Sequence, residues 1–336
     1  MMVALATVAL CFDKFRASAT AAELVARASE AAASLGWAVR AVPMSDGGEG
    51  LLEILGGANR RTMVPDPLGR PIEAAWLARP PLGVIEMAAA SGLTLVGGPE
   101  GNDPVRASTA GTGMLVAKAV SSGMKEVVVG VGGSATTDGG LGAVEVLRQG
   151  PGLRGVRLRV AVDTTVGFLD AARVFAPQKG ASPAVVELLS RRLEALADRY
   201  ESELGVDVRS LVGAGAGGGL AGGLAALGGE LVPGLELVAE LVGLDAALAE
   251  ADAVVTGEGR VDRASFQGKV TGGVAARAKA LRLPCLLVAG SAEPGLDVPD
   301  GCRLVVLEER YGRERSMAEA AELAAFEVRT FLDDLG

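Results

Sequence analysis

The sequence predicts an α/β protein of two domains: a parallel sheet assembled from both ends of the chain, holding a mixed α/β domain inserted in the middle. Three observations carry this. The 336 residues are too many for one average domain and suit two. Both ends carry apolar runs alternating with helical periodicity, the β-α-β texture of a parallel sheet. Near residue 63 that texture gives way to short strand-like pieces broken by turn residues. The expected boundaries are 1–62 with 240–336 for the sheet domain and 63–239 for the inserted one.

The elements follow in order. Val3–Phe12 is a continuous apolar run, expected as a strand buried on both faces. Thr20–Leu35 has helical spacing, and Trp37–Met44 reads as a second strand. Ser45–Gly50 (SDGGEG) leads into LLEIL, expected as a helix. After the break PDPLGRP, the pieces TMV, IEAAWLA and GVIEMA are expected to pair antiparallel. STAGTGMLVAKAV runs into a helix, EVVVGVGG is a strand ending in glycines, and LGAVEVL starts the next helix. VRLRVAVD is a strand ending on Asp163. Pro183–Tyr200 is an amphipathic helix, and GAGAGGGLAGGLAAL a glycine loop entering a small-residue helix. DAVVTGEGR, PCLLVAGS and CRLVVLEE are strands ending in polar loops, and Met317–Leu335 is the last helix.

Composition narrows the chemistry. Aromatics are only 3%, so the core rests on Leu, Val and Ala. A net charge of −9 argues against a nucleic-acid partner. The apolar start is too short to span a bilayer and lacks a basic leader region, so no membrane association is expected. Cys11, Cys285 and Cys302 form no CxxC pair and read as buried thiols of a cytoplasmic protein. The chain has no histidine. That excludes Ser-His-Asp and Cys-His catalysis and a His-ligated metal. Proton transfer falls to Asp, Glu, Lys or Tyr, and a catalytic metal would need oxygen ligands, as Mg²⁺ does.

Several loops carry candidate chemistry. GVGGSATTDGG (Gly130–Gly140) lies between a strand and a helix, where backbone N–H groups bind anions. Gly130-x-Gly132-x-x-Ala135 matches a loose dinucleotide fingerprint, with Asp163 placed as a ribose-binding acid would be. Alone, a tight turn capped by Ser134 or Thr137 explains the loop equally well. MSDGGEG offers Asp46 and Glu49 to a metal or hydroxyl, or to a helix start. In TGEGRVD, Glu258, Arg260 and Asp262 alternate on one loop, and Lys269 follows near a glycine. Lys179, taken alone, reads as a surface lysine. GAGAGGGLAGG reads as a close-packed helix start or as a phosphate loop. Glu86, among apolar residues, is a structural acid or a site acid. Carboxylates with Arg and Lys but no His suit phosphoryl transfer, which needs Mg²⁺, cations on the phosphates and one acid to accept a hydroxyl proton.

The chain resembles the type I glycerate kinase family of bacteria, whose members phosphorylate D-glycerate with ATP. PMSDGGEG, PLG, IEMAAASGL, STAGTG, VGGSATTDGG, VFAPQKGA, GAGAGGGL and TGEGRVD occur in the family's order over nearly the whole chain. The resemblance implies a Rossmann-like, flavodoxin-like domain built from both chain ends, an inserted α/β domain and an active site in the cleft between them. It also implies ATP, a divalent metal and 2-phosphoglycerate as product. The chain departs from the family in places. The family's Asp-Ser-Phe-Lys-Gly-Ser is here Asp13-Lys14-Phe15-Arg16-Ala17-Ser18, so Arg replaces Lys and Ala replaces Gly. Its Asp-Val-x-Asn is here Asp163-Thr164-Thr165-Val166, and the region between Leu147 and Arg157 is shorter.

On these grounds the expected activity is ATP-dependent phosphorylation of D-glycerate. Asp163 and Asp262 are the candidate bases, with Arg260 as a catalytic cation. Mg²⁺ is expected among Asp46, Glu49 and Glu258, with Asp138 a further candidate. Asp13, Arg16, Lys179, Lys269 and the hydroxyls of Ser134 and Thr136 are expected to contact phosphate or glycerate. Gly132, Gly133, Gly215 and Gly217 are candidates for the nucleotide or anion loop. The expected partners are small molecules, with a homodimer possible. The rival readings are an NAD(P)-dependent dehydrogenase of a small hydroxy acid and a non-catalytic metabolite sensor.

Overall fold

A computed structural model describes residues 5–150, 152–266 and 268–336. Val3 and Ala4 of the expected first strand, and Gln267, lie outside them. The strands are β1 (Thr7–Phe12), β2 (Ala38–Ala41), β3 (Arg60–Pro65), β4 (Pro71–Arg79), β5 (Leu82–Glu86), β6 (Glu126–Gly130), β7 (Arg157–Val162), β8 (Glu230–Pro233), β9 (Ala253–Val261), β10 (Cys285–Ala292) and β11 (Cys302–Val306). The chain divides into two compact units, residues 1–46 with 235–336 and residues 47–234.

The first unit holds a five-stranded sheet in the order β11-β10-β9-β1-β2, parallel throughout. Its inner strands β1, β9 and β10 carry runs of successive buried apolar residues because both faces are covered. Val8, Leu10, Phe12, Val255, Leu286 and Val288 share one core with helices Ala21–Ser34 and Ala320–Asp333. The alternate residues Ala9, Cys11, Val254 and Leu287 are equally inaccessible. Each such Val or Leu contributes about 1.5–3 kcal/mol by leaving water. The first helix begins at a reciprocal cap. Thr20 Oγ1 accepts from Glu23 N–H at 3.2 Å, and Glu23 Oε2 accepts from Thr20 N–H at 2.8 Å. The last helix is broken at Glu319 into Arg313–Ala318 and Ala320–Asp333, where one continuous helix was expected.

The second unit holds a six-stranded mixed sheet in the order β3-β4-β5-β6-β7-β8. As the turn-rich pieces predict, β3, β4 and β5 pair antiparallel, and β5 through β8 run parallel. LLEIL forms one helical turn, Leu51–Ile54. The segment before β3 belongs to this unit, so the division falls at 46/47 where the texture change pointed to 62/63. Glu86 Oε1, at the end of β5, accepts from the N–H groups of Gly50 and Leu52 at 3.0 and 2.8 Å, and Gly47 packs on Ala161 and Gly234. No helix among the described residues is long and apolar enough to cross a membrane.

Candidate active site

In the first sheet, β1 and β9 are neighbours from which the chain proceeds in opposite directions, to β2 on one side and to β10 and β11 on the other. Such a switch point leaves a crevice at the carboxyl ends of its strands, the usual ligand position in open α/β sheets. Here the crevice is a cavity of about 700 Å³. Asp13 stands at its floor directly after β1, its N–H donating to the Gly257 carbonyl at 3.0 Å. Burial, and then the like charges of Asp46 and Glu258, push its carboxyl up to about 7. The Lys14 N–H, donating to Asp13 Oδ1 at 2.7 Å, and the Lys14 charge act in the opposite sense.

TGEGR was expected as a loop, but β9 continues through it. Glu258 pairs in register with Ala289 and Arg260 with Ser291. The strand persists because Gly257 and Gly259 let its neighbours close in. A Cβ at Gly257 would sit 2.1 Å from the Val288 carbonyl oxygen, and one at Gly259 3.0 Å from the Arg16 nitrogen. Glu258 and Arg260 therefore stand on a rigid element at the cavity wall. Burial raises the Glu258 carboxyl, against the hydroxyls of Ser265 and Thr271 and the charge of Lys269. Glu258 Oε1 is buried without a hydrogen-bond partner. Asp262 lies just beyond β9. Its Oδ1 accepts from Ser265 N–H at 3.0 Å and Oγ at 3.3 Å, while its own N–H donates to Ser265 Oγ at 3.0 Å. Lys269 precedes helix Val270–Leu281, and both it and Arg16 are exposed at the rim. Next to Arg16, Ala17 holds a left-handed backbone, φ 61°, which costs a residue with a Cβ about 1 kcal/mol.

The second unit gathers a different set. Lys179 is not a surface lysine: it is 3% exposed. Its Nζ donates to Ser134 Oγ at 2.7 Å and to the Thr136 carbonyl at 2.6 Å, fastening the glycine loop after β6 from within. Burial pulls the Lys179 amine down to about 7, and the charge of Asp138 resists that fall. Asp138 is committed to the loop. Its oxygens accept from Thr109 N–H and Oγ1 and from the N–H groups of Gly140 and Gly142, at 2.8–3.2 Å. These four donors make Asp138 an organiser of the loop.

The glycines of this unit serve close backbone approach. A Cβ at Gly132 would meet Gly48 Cα at 3.0 Å, and one at Gly133 would meet Glu49 Oε1 at 2.0 Å. Gly130 faces the Gly47 carbonyl in the same way, at 2.4 Å. The segment 47–49 thus covers the apparent dinucleotide fingerprint, and the Ala135 N–H is taken by the Ser91 carbonyl. This removes the physical basis of the dehydrogenase reading. Gly215 and Gly217 are fully enclosed, against the Gly167 carbonyl and Met87 Sδ, and offer no surface to an anion. Asp163 is exposed just after β7.

Of the residues singled out from sequence, Asp13, Arg16, Asp46, Glu258, Arg260, Asp262 and Lys269 line one cavity in the first unit. Ser134, Thr136, Asp138 and Lys179 form one hydrogen-bonded loop in the second. Sequence reasoning missed Ser18, Glu308, Arg313 and Ser316 on the cavity wall, and Asn102, whose amide donates to the carbonyls of Ala135 and Lys179. Ser18 closes the Asp13–Ser18 motif without having been singled out, while Glu308, Arg313, Ser316 and Asn102 stand in none of the quoted motifs and are revealed by the tertiary fold.

Comparisons with known proteins agree with this architecture. The glycerate kinase family model matches residues 8–149 and 144–333. A glycerate kinase from Halalkalibacterium halodurans is 38% identical over 77% of this chain and 78% of its own length. The glycerate 2-kinase of Escherichia coli K12 is 39% identical over 74% of this chain and 75% of its own. The crystal structure of a protein from Salmonella typhimurium LT2 assigned as a glycerate kinase 2 superposes with a TM-score of 0.83 at 31% identity, covering 99% of this chain and all of that one. With a family match over nearly its full length, relatives above one-third identity and the same two-domain fold, this chain is a kinase that belongs to the glycerate kinase family.

Proposed function

We propose that the chain transfers the γ-phosphoryl group of ATP to the 2-hydroxyl of D-glycerate with the help of Mg²⁺. The observation that carries this is the switch-point cavity, where a carboxyl poised near neutrality stands among further acids and is rimmed by Arg16, Arg260 and Lys269. Phosphoryl transfer asks the protein mainly for position and charge. The rim cations hold the phosphate oxygens and the glycerate carboxylate. Asp13 accepts the hydroxyl proton as the oxygen attacks. Burial, the largest cause of its raised value, makes this carboxylate a stronger base toward that proton than an exposed one. Asp13 fits the role better than Asp262, whose Oδ1 is occupied by Ser265, or Asp163, which is exposed in the other unit.

The residues fit a hard divalent cation. The donors are all oxygens, and buried Glu258 Oε1 lacks a partner. Mg²⁺ keeps several waters and takes phosphate oxygens, so one or two protein carboxylates suffice to bind it. Glu258 and Asp46 would hold it, and its contribution is to neutralise charge on the transferring group. The E. coli relative's name specifies the 2-kinase reaction, which supports the choice of hydroxyl. The test is ADP release on adding D-glycerate to enzyme, ATP and Mg²⁺, with the product identified by NMR. Failure to release ADP, or 3-phosphoglycerate as the product, refutes the proposal.

A further inference from the structure

Cys285 and Cys302 are remote from each other in sequence and unused by the mechanism above. The fold makes them opposite neighbours: they are in-register partners at the start of parallel strands β10 and β11. Paired residues on adjacent strands lie about 4.8 Å apart between Cα atoms, inside the range a disulfide spans. The two thiols act on each other as hydrogen-bonding neighbours across the strands. That bond, together with the nearby ammonium of Lys279, holds the Cys302 thiol below its ordinary value. Cys302 beside it, and then burial, raise Cys285 well above the usual range, while burial works against the lowering of Cys302. The two differ in access. Cys285 is 1% exposed, while Cys302 is only partly buried, on the last strand of the sheet. The third cysteine, Cys11, sits two strands away on β1 and is fully buried.

We propose that Cys285 and Cys302 are a dithiol–disulfide site, oxidised reversibly in the folded protein by small peroxides or disulfides. The accessible Cys302 sulfur attacks the oxidant. With hydrogen peroxide, the O–O bond breaks, water leaves and Cys302 becomes a sulfenic acid. The Cys285 sulfur then attacks Cys302, loses its proton and releases a second water as the S–S bond forms. Two electrons and two protons leave the protein, and the peroxide accepts them. The bond joins the starts of β10 and β11 and so closes a loop that runs through β10 and the return segment 293–301, which includes the cavity residue Pro294.

Trypsin places both cysteines in one peptide, Leu283–Arg303. The folded protein is treated with hydrogen peroxide or glutathione disulfide, unfolded, alkylated and digested. The peptide is expected unalkylated and lighter by two hydrogens, alkylated again after dithiothreitol, while Cys11 remains alkylated throughout. In Cys302→Ser, Cys285 is expected to stay alkylatable after the same treatment. The proposal is overturned if both thiols of the wild type remain alkylatable, if Cys302 advances to sulfinic acid beside a free Cys285, or if Cys11 enters the bond.

Discussion

Replacing Lys179 by methionine should remove a large part of the pH dependence of the second unit's stability. The amine is 3% exposed, and burial pulls it from 10.5 in the ordinary state to about 7 in the fold. Between those two values the unfolded chain binds one more proton than the native one, so stability rises with pH. The slope is about 1.4 kcal/mol per pH unit, or about 2 kcal/mol between pH 8 and 9.5. The contribution is lost as pH falls toward 7, where the native amine charges. Methionine keeps the length and apolar bulk and removes the titration. The chain has two tryptophans, Trp37 and Trp76. Trp76, 1% exposed on β4, reports the second unit once Trp37 is changed to Phe. Urea unfolding followed by Trp76 fluorescence at several pH values then gives both profiles. If the gap between wild type and Lys179→Met stays constant from pH 8 to 9.5, Lys179 is charged in the native protein and the argument from its burial fails.

Three further outcomes test the cavity. Asp13→Asn should lower kcat by about 10²–10⁴-fold with the KM for ATP little changed, since it removes the proton acceptor and leaves the rim cations; retained turnover refutes the assignment. Glu258→Gln should raise the Mg²⁺ concentration needed for half-maximal activity by at least about tenfold, and an unchanged Mg²⁺ titration counts against Glu258 as a ligand. Ala17→Gly should stabilise the protein by up to about 0.5 kcal/mol, because glycine adopts φ 61° without a Cβ penalty and gives back part of that gain through its freer unfolded chain. A lower unfolding midpoint would show that the Ala17 methyl makes a compensating contact.

Much of the fold was legible because its signals are local. The apolar runs of β1, β9 and β10 announce strands covered on both faces, and Thr20 with Glu23 marks the first helix start. β8 escaped notice, being four residues with little apolar pattern. The cavity acids and cations were named individually, but their convergence was not readable, since β1 and β9 are joined by hydrogen bonds across most of the chain. Polar and glycine residues misled where tertiary packing overrode local appearance. TGEGR looks like a loop, yet Gly257 and Gly259 exist so that β9 can continue between close neighbours. Lys179 looks solvated, yet Ser134 and the Thr136 carbonyl give its amine a place inside.

The discontinuity of the first unit bears on synthesis. β1 leaves the ribosome with β2 soon beside it, but its other neighbour, β9, begins only at Ala253. The continuous segment 47–234 is complete by then and is free to fold while the chain grows. Until β9 arrives, one edge of the nascent β1 stays unpaired and its apolar side chains uncovered, a period in which aggregation competes with folding. Chaperone dependence should therefore track the time needed to translate the inserted segment.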